Sequence, residues 1–226
     1  MPRSQQREER RQRILDVVET LIRETDGTDF AMTEVARRAR MSEPTPYNLF
    51  GSKGAVLYTL LNWAMDELTL GKHAYDSIDE AALHPVMAMR YAADFFIRDP
   101  VLFRPLFKYQ LGEYARTERL AYMDRALEYW RTSLEGLLDA GVQPSSPSSF
   151  SCDDIAIPLL AQSVGLLDLW AQGEFTDDEF RARMTFSAAL IVHPIVDGPS
   201  RAQLDRAIRE EKSNLLLEFS FQNILE

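Results

Sequence analysis

Ile14, Val17, Val18, Leu21 and Ile22 recur at the spacing of one helix face, while Arg11, Asp16, Glu19 and Arg23 occupy the other. This predicts an amphipathic helix that stops at Thr25-Asp26-Gly27-Thr28. The next apolar group, Val35, Ala36 and Ala39 within 33–39, is too short to be a helix on its own and must lean on its neighbours. Arg40-Met41-Ser42 reads as a tight break, with Ser42 placed to cap a helix over 43–50. Gly51-Ser52 breaks the chain again, and Ser52 can cap a long helix carrying Val56, Leu57, Leu60, Leu61, Ala64 and Leu68 to near Gly71. Further helices are expected over 78–98, 101–114, 119–140, 153–172, 177–194 and 201–224, with a Pro- and Ser-rich loop over 141–151. No run alternates as a strand would. The chain reads as all-α: a short three-helix unit, then a long helix leading into a larger helical domain.

Composition narrows the class. The chain has 226 residues, 46% of them hydrophobic, enough for a sizeable core. Neither a signal peptide nor a membrane span is expected, and the single cysteine, Cys152, fits a reducing cytoplasm and reads as a bystander at a helix start. The net charge of −10 argues against nucleic acid until its distribution is considered. Residues 1–53 hold ten Lys or Arg against nine Asp or Glu, so the acid lies in the remainder. Arg3, Arg7, Arg10, Arg11 and Arg13 face only Glu8 and Glu9 at the start, which reads as a flexible basic arm able to track a phosphate backbone or as a solvated terminus.

Two short helices around a three-residue turn, braced by a longer first helix, make the recipe for a helix-turn-helix. The run Val35-Ala36-Arg37-Arg38-Ala39-Arg40-Met41-Ser42-Glu43-Pro44-Thr45-Pro46-Tyr47-Asn48-Leu49-Phe50-Gly51-Ser52-Lys53 resembles the signature of the TetR family of transcriptional regulators. The shared parts are an Ala-rich second helix, a turn ending in Ser, Thr-x-Tyr at the recognition helix, and Phe-x-x-Lys into the fourth. The resemblance implies a DNA-binding domain over 1–53 and a helical effector-binding and dimerisation domain over 54–226. It also implies that Tyr47 and Lys53 contact backbone phosphates, while Thr33, Glu43, Thr45 and Asn48 face base edges. Three departures stand out. Arg40 takes the place of the usual Gly, where a positive φ would be strained. Ala31 replaces a capping Thr. Pro46 replaces an aliphatic residue and is expected to push Thr45 toward an extended conformation, so that the recognition helix begins late.

Beyond residue 60 the resemblance is less specific. Aromatic and Met residues crowd 75–135, and such side chains are mostly core; relatives nevertheless hold a small-molecule cavity in this domain. Tyr91, Phe95, Phe107, Trp130 and Trp170 are the candidate walls for an apolar or aromatic effector. The mixed small and large apolar residues of 153–172 and 177–194 suit pairing with their copies in a homodimer, which a twofold operator requires. The expected function is a ligand-responsive regulator, a repressor released from a palindromic operator in double-stranded DNA by its effector. The competing readings are a helical carrier of apolar molecules and a helical enzyme. The enzyme is disfavoured: His73, His84 and His193 form no His-Glu-x-x-His pair, and no cofactor or metal is implied. The role of 201–224 is left open.

Overall fold

The computed structural model describes residues 3–71, 81–111, 116–139, 151–196 and 199–216, and among them every regular element is helical. In chain order these are α1 (Arg3–Thr25), α2 (Met32–Arg38), α3 (Pro44–Phe50), α4 (Lys53–Gly71), α5 (His84–Ile97), α6 (Pro100–Leu111), α7 (Arg116–Asp139), α8 (Cys152–Gln172), α9 (Asp177–Val192) and α10 (Pro199–Leu216). Short 3-10 turns at Ala81–Leu83 and His193–Ile195 precede α5 and follow α9. The expected helix start at 78, His73, Tyr114, the loop over 141–150 and the stretch 217–224 lie outside the described residues.

Contacts gather into two compact units, Met1–Met65 with Asp99–Met123, and Asp66–Arg98 with Asp124–Glu226. In the first, α1 buries Ile14, Val18, Leu21 and Ile22, and packs on α2, α3 and α6. The N-terminal arginines are not a flexible arm. Arg3, Arg7, Arg10, Arg11 and Arg13 are all part of α1, because no glycine or proline interrupts the run and the buried stripe downstream supplies a stable turn on which the helix extends. Arg23, near the end of α1, donates to both carboxylate oxygens of Asp99 at 2.7 and 2.5 Å. Asp99 also accepts from the Leu102 N–H, so the same carboxylate serves the exposed first turn of α6.

The turn between α2 and α3 is set by backbone hydrogen bonding. The Met41 N–H donates to the Ala36 carbonyl and the Arg40 N–H to that of Arg37, the two bonds of a Schellman motif. That motif needs a left-handed residue between them, and Arg40 supplies it at φ +56°, as its place in the sequence predicts. Ser42 does not cap α3 as expected. Glu43 holds the N-cap position, and the Ser42 hydroxyl pairs instead with that of Thr45 at 2.7 Å. Nor does α3 begin late: Pro44 opens it and Thr45 is helical, because both prolines fall in the first turn, where the backbone N–H groups have no helical acceptor to lose. Ser52 does cap α4, accepting from the Ala55 N–H at 2.9 Å.

In the second unit α9 is central, packing against α5, α8 and α10. Capping boxes open both α8 (Ser151 with Asp154) and α9 (Thr176 with Glu179). Trp170 of α8 is fully buried, stacks on Phe180 of α9 at 4.8 Å and donates its indole N–H to Asp177. Arg181 on Asp94 ties α9 to α5, and Arg131 on Asp153 ties α7 to α8. Although α8 is long and apolar enough by composition to cross a membrane, it buries Ile155, Leu159, Leu166, Leu167 and Trp170 within its unit. Cys152 sits in its first turn, as expected; burial pushes the thiol up, away from the reactive thiolate.

Two stability measurements test this packing. Phe180→Ala removes the ring stacked on Trp170 and is expected to cost about 3–5 kcal/mol in denaturant unfolding; a loss below about 1 kcal/mol contradicts a packed α8–α9 core. Arg40→Gly relieves the left-handed strain and is expected to stabilise by up to about 1 kcal/mol, less what glycine adds to unfolded-state entropy. Marked destabilisation would show that the Arg40 side chain itself supports the turn.

Candidate nucleic-acid interface

Two cations hold the small unit together. Arg11 of α1 donates from Nη1 to the Leu49 carbonyl of α3 at 2.7 Å, and its guanidinium lies 4.1 Å from the centre of the Phe50 ring. Lys53, opening α4, donates from Nζ to the Phe30 carbonyl at 2.9 Å and sits 4.6 Å from the centre of the Phe30 ring. Burial draws the Lys53 ammonium below its ordinary pKa, opposed by the charge of Asp29. An ammonium has three donors, so the bond to Phe30 leaves two, and Lys53 remains beside the N-terminus of a helix. Arg11 was not singled out in the sequence, where it reads only as one of several N-terminal arginines.

On this frame the surface side chains of α2 and α3 are displayed. Thr33, Glu43 and Asn48 are exposed and Thr45 is half-buried. Tyr47 is 49% exposed, so its ring is not a core aromatic and its hydroxyl reaches solvent. Phe50, half-buried under Arg11, is the aromatic that serves the interior. Pro46 is buried, which matches the aliphatic residue it replaces in volume if not in hydrogen bonding. Ala31 stands at the N-cap of α2 in extended conformation with no side-chain bond, and only its backbone carbonyl receives the Glu34 and Val35 N–H groups.

An open cleft runs along this face, lined by Thr33, Glu34, Arg37, Met41, Ser42 and Glu43. Glu34 grips Arg37 Nε and Nη2 at 2.8 and 2.7 Å and also receives Arg38 Nε at 2.6 Å. These two guanidinium groups hold the Glu34 carboxyl down to about 2. The pairs use three- and four-residue helical spacing that is visible in the sequence, but the spacing alone does not say which partner each charge takes.

The candidate effector residues divide between the units. Phe107 belongs to the first, buried and stacked on Phe103. Tyr91, Phe95, Trp130 and Trp170 belong to the second. Trp170 and Trp130 are buried against Phe180 and Tyr129, and the indole N–H of Trp170 is already bonded. Tyr91 and Phe95 are half-buried, and the Tyr91 hydroxyl presses on Gly71, where a Cβ would lie 1.8 Å from it. Any larger residue at 71 displaces Tyr91. Sequence reading missed Tyr58 of α4. It is 1% exposed, flanked edge-on by Tyr109 and Tyr122, and its hydroxyl has no hydrogen-bond partner among the described residues. Burial pushes this phenol up to about 12, so it is a neutral donor with nothing to donate to.

No family model and no curated protein matches the chain. Solved structures do. A Syntrophomonas wolfei protein assigned to the TetR family of transcriptional regulators superposes with TM-score 0.64 at 21% identity, covering 82% of this chain and 96% of its own. Thermus thermophilus FadR, a TetR-family transcriptional repressor in complex with lauroyl-CoA, gives 0.61 at 22% identity, covering 84% and 97%. A Clostridium perfringens protein assigned as a fatty acid metabolism regulator gives 0.54 at 14% identity, covering 82% and 100%. The helix-turn-helix signature and the helical architecture therefore agree, and the chain has the fold of the TetR family of transcriptional regulators.

Proposed function

We propose that the chain is a ligand-responsive transcriptional repressor, with residues 1–53 as its DNA-binding domain and 54–226 as its effector-binding and dimerisation domain. The observation that carries this reading is the display of Thr33, Glu43, Tyr47 and Asn48 on one small helical frame whose apolar side is otherwise buried. A half-exposed tyrosine on a helix this short adds little to stability, whereas its hydroxyl suits a phosphate oxygen. Thr45, tied to Ser42, contributes through its hydroxyl with less freedom to adapt to a base edge.

Dimerisation through α8 and α9 is supported by what those helices leave uncovered. Ile157, Leu169 and Leu190 are exposed, and a groove of Gln162, Leu166, Arg183, Phe186, Ser187, Leu190 and Ile191 lies between the two helices. Gly165 has nothing within 4 Å of the position its Cβ would occupy, so a helix could approach closely there. Apolar surface of this kind on a pair of long helices fits a four-helix interface between copies.

The effector is read as a small apolar or aromatic molecule. The half-buried Tyr91 and Phe95 have surface to give it. The acyl chain of the lauroyl-CoA on the Thermus protein supports an apolar portion of the effector, while its CoA part is charged.

Full-length protein is expected to enrich an inverted repeat from a random duplex pool and to bind it with steep salt dependence. Tyr47→Phe is expected to weaken binding several-fold, and Lys53→Ala by about tenfold with a salt slope smaller by about one. Absence of any enriched duplex refutes the function, and unchanged binding by both variants refutes the roles. Leu190→Glu buries a charge in the expected interface and is predicted to yield monomers in sedimentation; an intact dimer places the interface elsewhere.

A further inference from the structure

The charges on α2 are organised around one carboxylate, and the two arginines that share it differ in what they have left. Arg38 is spent twice, from Nε to Glu34 and from Nη1 to Glu24 of α1, and only a third of its side chain is exposed. Arg37 also makes two bonds, but both to the single carboxylate of Glu34, and its side chain is 71% exposed. Its Nη1 has no partner among the described residues. Arg37 also stands one helical turn after Thr33, and both line the cleft that continues over Met41, Ser42 and Glu43.

Bidentate contact fixes more than distance. With Nε and Nη2 both held by Glu34, the plane of the guanidinium is set and its remaining edge, Nη1 with the second N–H of Nη2, is turned away from the carboxylate. That edge is a preoriented two-pronged donor on the same surface as the residues expected to meet DNA. We propose that Arg37 is a DNA-contacting residue that donates this outer edge to a backbone phosphate, with Glu34 as its positioning residue. The proposal rests on the regulator reading above and extends it.

A phosphate is favoured over a base edge because α2 is the first helix of the helix-turn-helix, which crosses the backbone while the second enters the groove. Ala31 brings no hydroxyl to the start of α2, and of the two arginines that share Glu34 it is Arg37 whose free edge is the more exposed. The cleft also carries two carboxylates, Glu34 and Glu43, that repel a phosphate. Glu34 is neutralised by its two arginines. Glu43 is not bonded to them, which makes the orientation of Arg37, rather than the charge of the cleft, the source of attraction.

The test uses full-length protein and a duplex that the wild type itself enriches from a random pool, with affinity read by anisotropy across a salt series. Arg37→Ala is expected to weaken binding about tenfold and to lower the log–log salt slope by about one. Arg38→Ala is expected to leave the slope unchanged. Arg37→Lys is expected to keep the slope yet bind several-fold more weakly, since an ammonium cannot hold Glu34 with two donors in one plane and still offer a fork. A wild-type slope for Arg37→Ala overturns the proposal, as does an equal fall for Arg38→Ala, which would show a dependence on net charge alone. Tyr47→Phe separates the levels. If it weakens binding while Arg37→Ala does not, only Arg37 fails; if no duplex is enriched, the regulator reading fails and Arg37 with it. Thermal melts of each variant confirm that the fold is retained.

Discussion

Two helices of seven residues, α2 and α3, cannot persist in water by themselves, and the small unit depends on burying them against α1. Ile14, Val18, Leu21 and Ile22 supply the apolar side of that contact, and Met32, Val35, Ala36 and Pro46 the other. Apolar burial has no direction, so it does not fix how the short helices are turned. Direction comes from Arg11 on the Leu49 carbonyl and Lys53 on the Phe30 carbonyl, each also lying over an aromatic ring. Both are cation-to-carbonyl bonds, one in the last turn of α3 and one just before the N-cap of α2, to carbonyls that lie beyond helical pairing. The exposed faces of α2 and α3 inherit their orientation from these contacts.

The same economy bears on how the proposed contact of an acidic chain with a polyanion would work. At physiological salt, fields between exposed charges fade over about 8 Å. Charge close to the α2–α3 surface therefore counts most there, and it is organised by the pairing of Glu34 with Arg37 and Arg38. In residues 1–53 ion pairs engage Glu8, Glu19, Glu24 and Glu34, and the pairing of Glu34 leaves an individual guanidinium on α2 rather than a broad basic patch. Specific geometry, not bulk charge, has to carry recognition in such a surface.

Aromatic abundance beyond residue 60 does not by itself separate core residues from the walls of the proposed effector site. Trp170 and Trp130 are as aromatic as a ligand wall requires, yet each is occupied by a neighbouring ring. Tyr58 is unusual in another way: among the described residues its buried hydroxyl has no hydrogen-bond partner, a state that costs about 1–3 kcal/mol. Its surroundings of Val56, Leu57, Leu60 and Leu61 make it look like one more core position along α4.

Helical periodicity, the Gly-Ser break at 51–52 and the run from Val35 to Lys53 were enough to determine the all-helical class, the helix-turn-helix and the surface positions Thr33, Glu43 and Asn48, but not that Thr45 is half-buried or that the Tyr47 ring is exposed. The former depend on local spacing, which one strand of sequence contains in full. The strain at Arg40 was legible too, because the Schellman turn is itself local. Other features needed the folded chain. The arginines of 3–13 became helix, Ser42 lost its capping role to a pairing with Thr45, and α3 started on time despite two prolines. Each outcome turned on which acceptor or donor was already satisfied. Tertiary structure alone decided that Arg11 braces α3 while Arg37 keeps a donor to spare, because identical side chains are distinguished only by the partners that packing brings within reach.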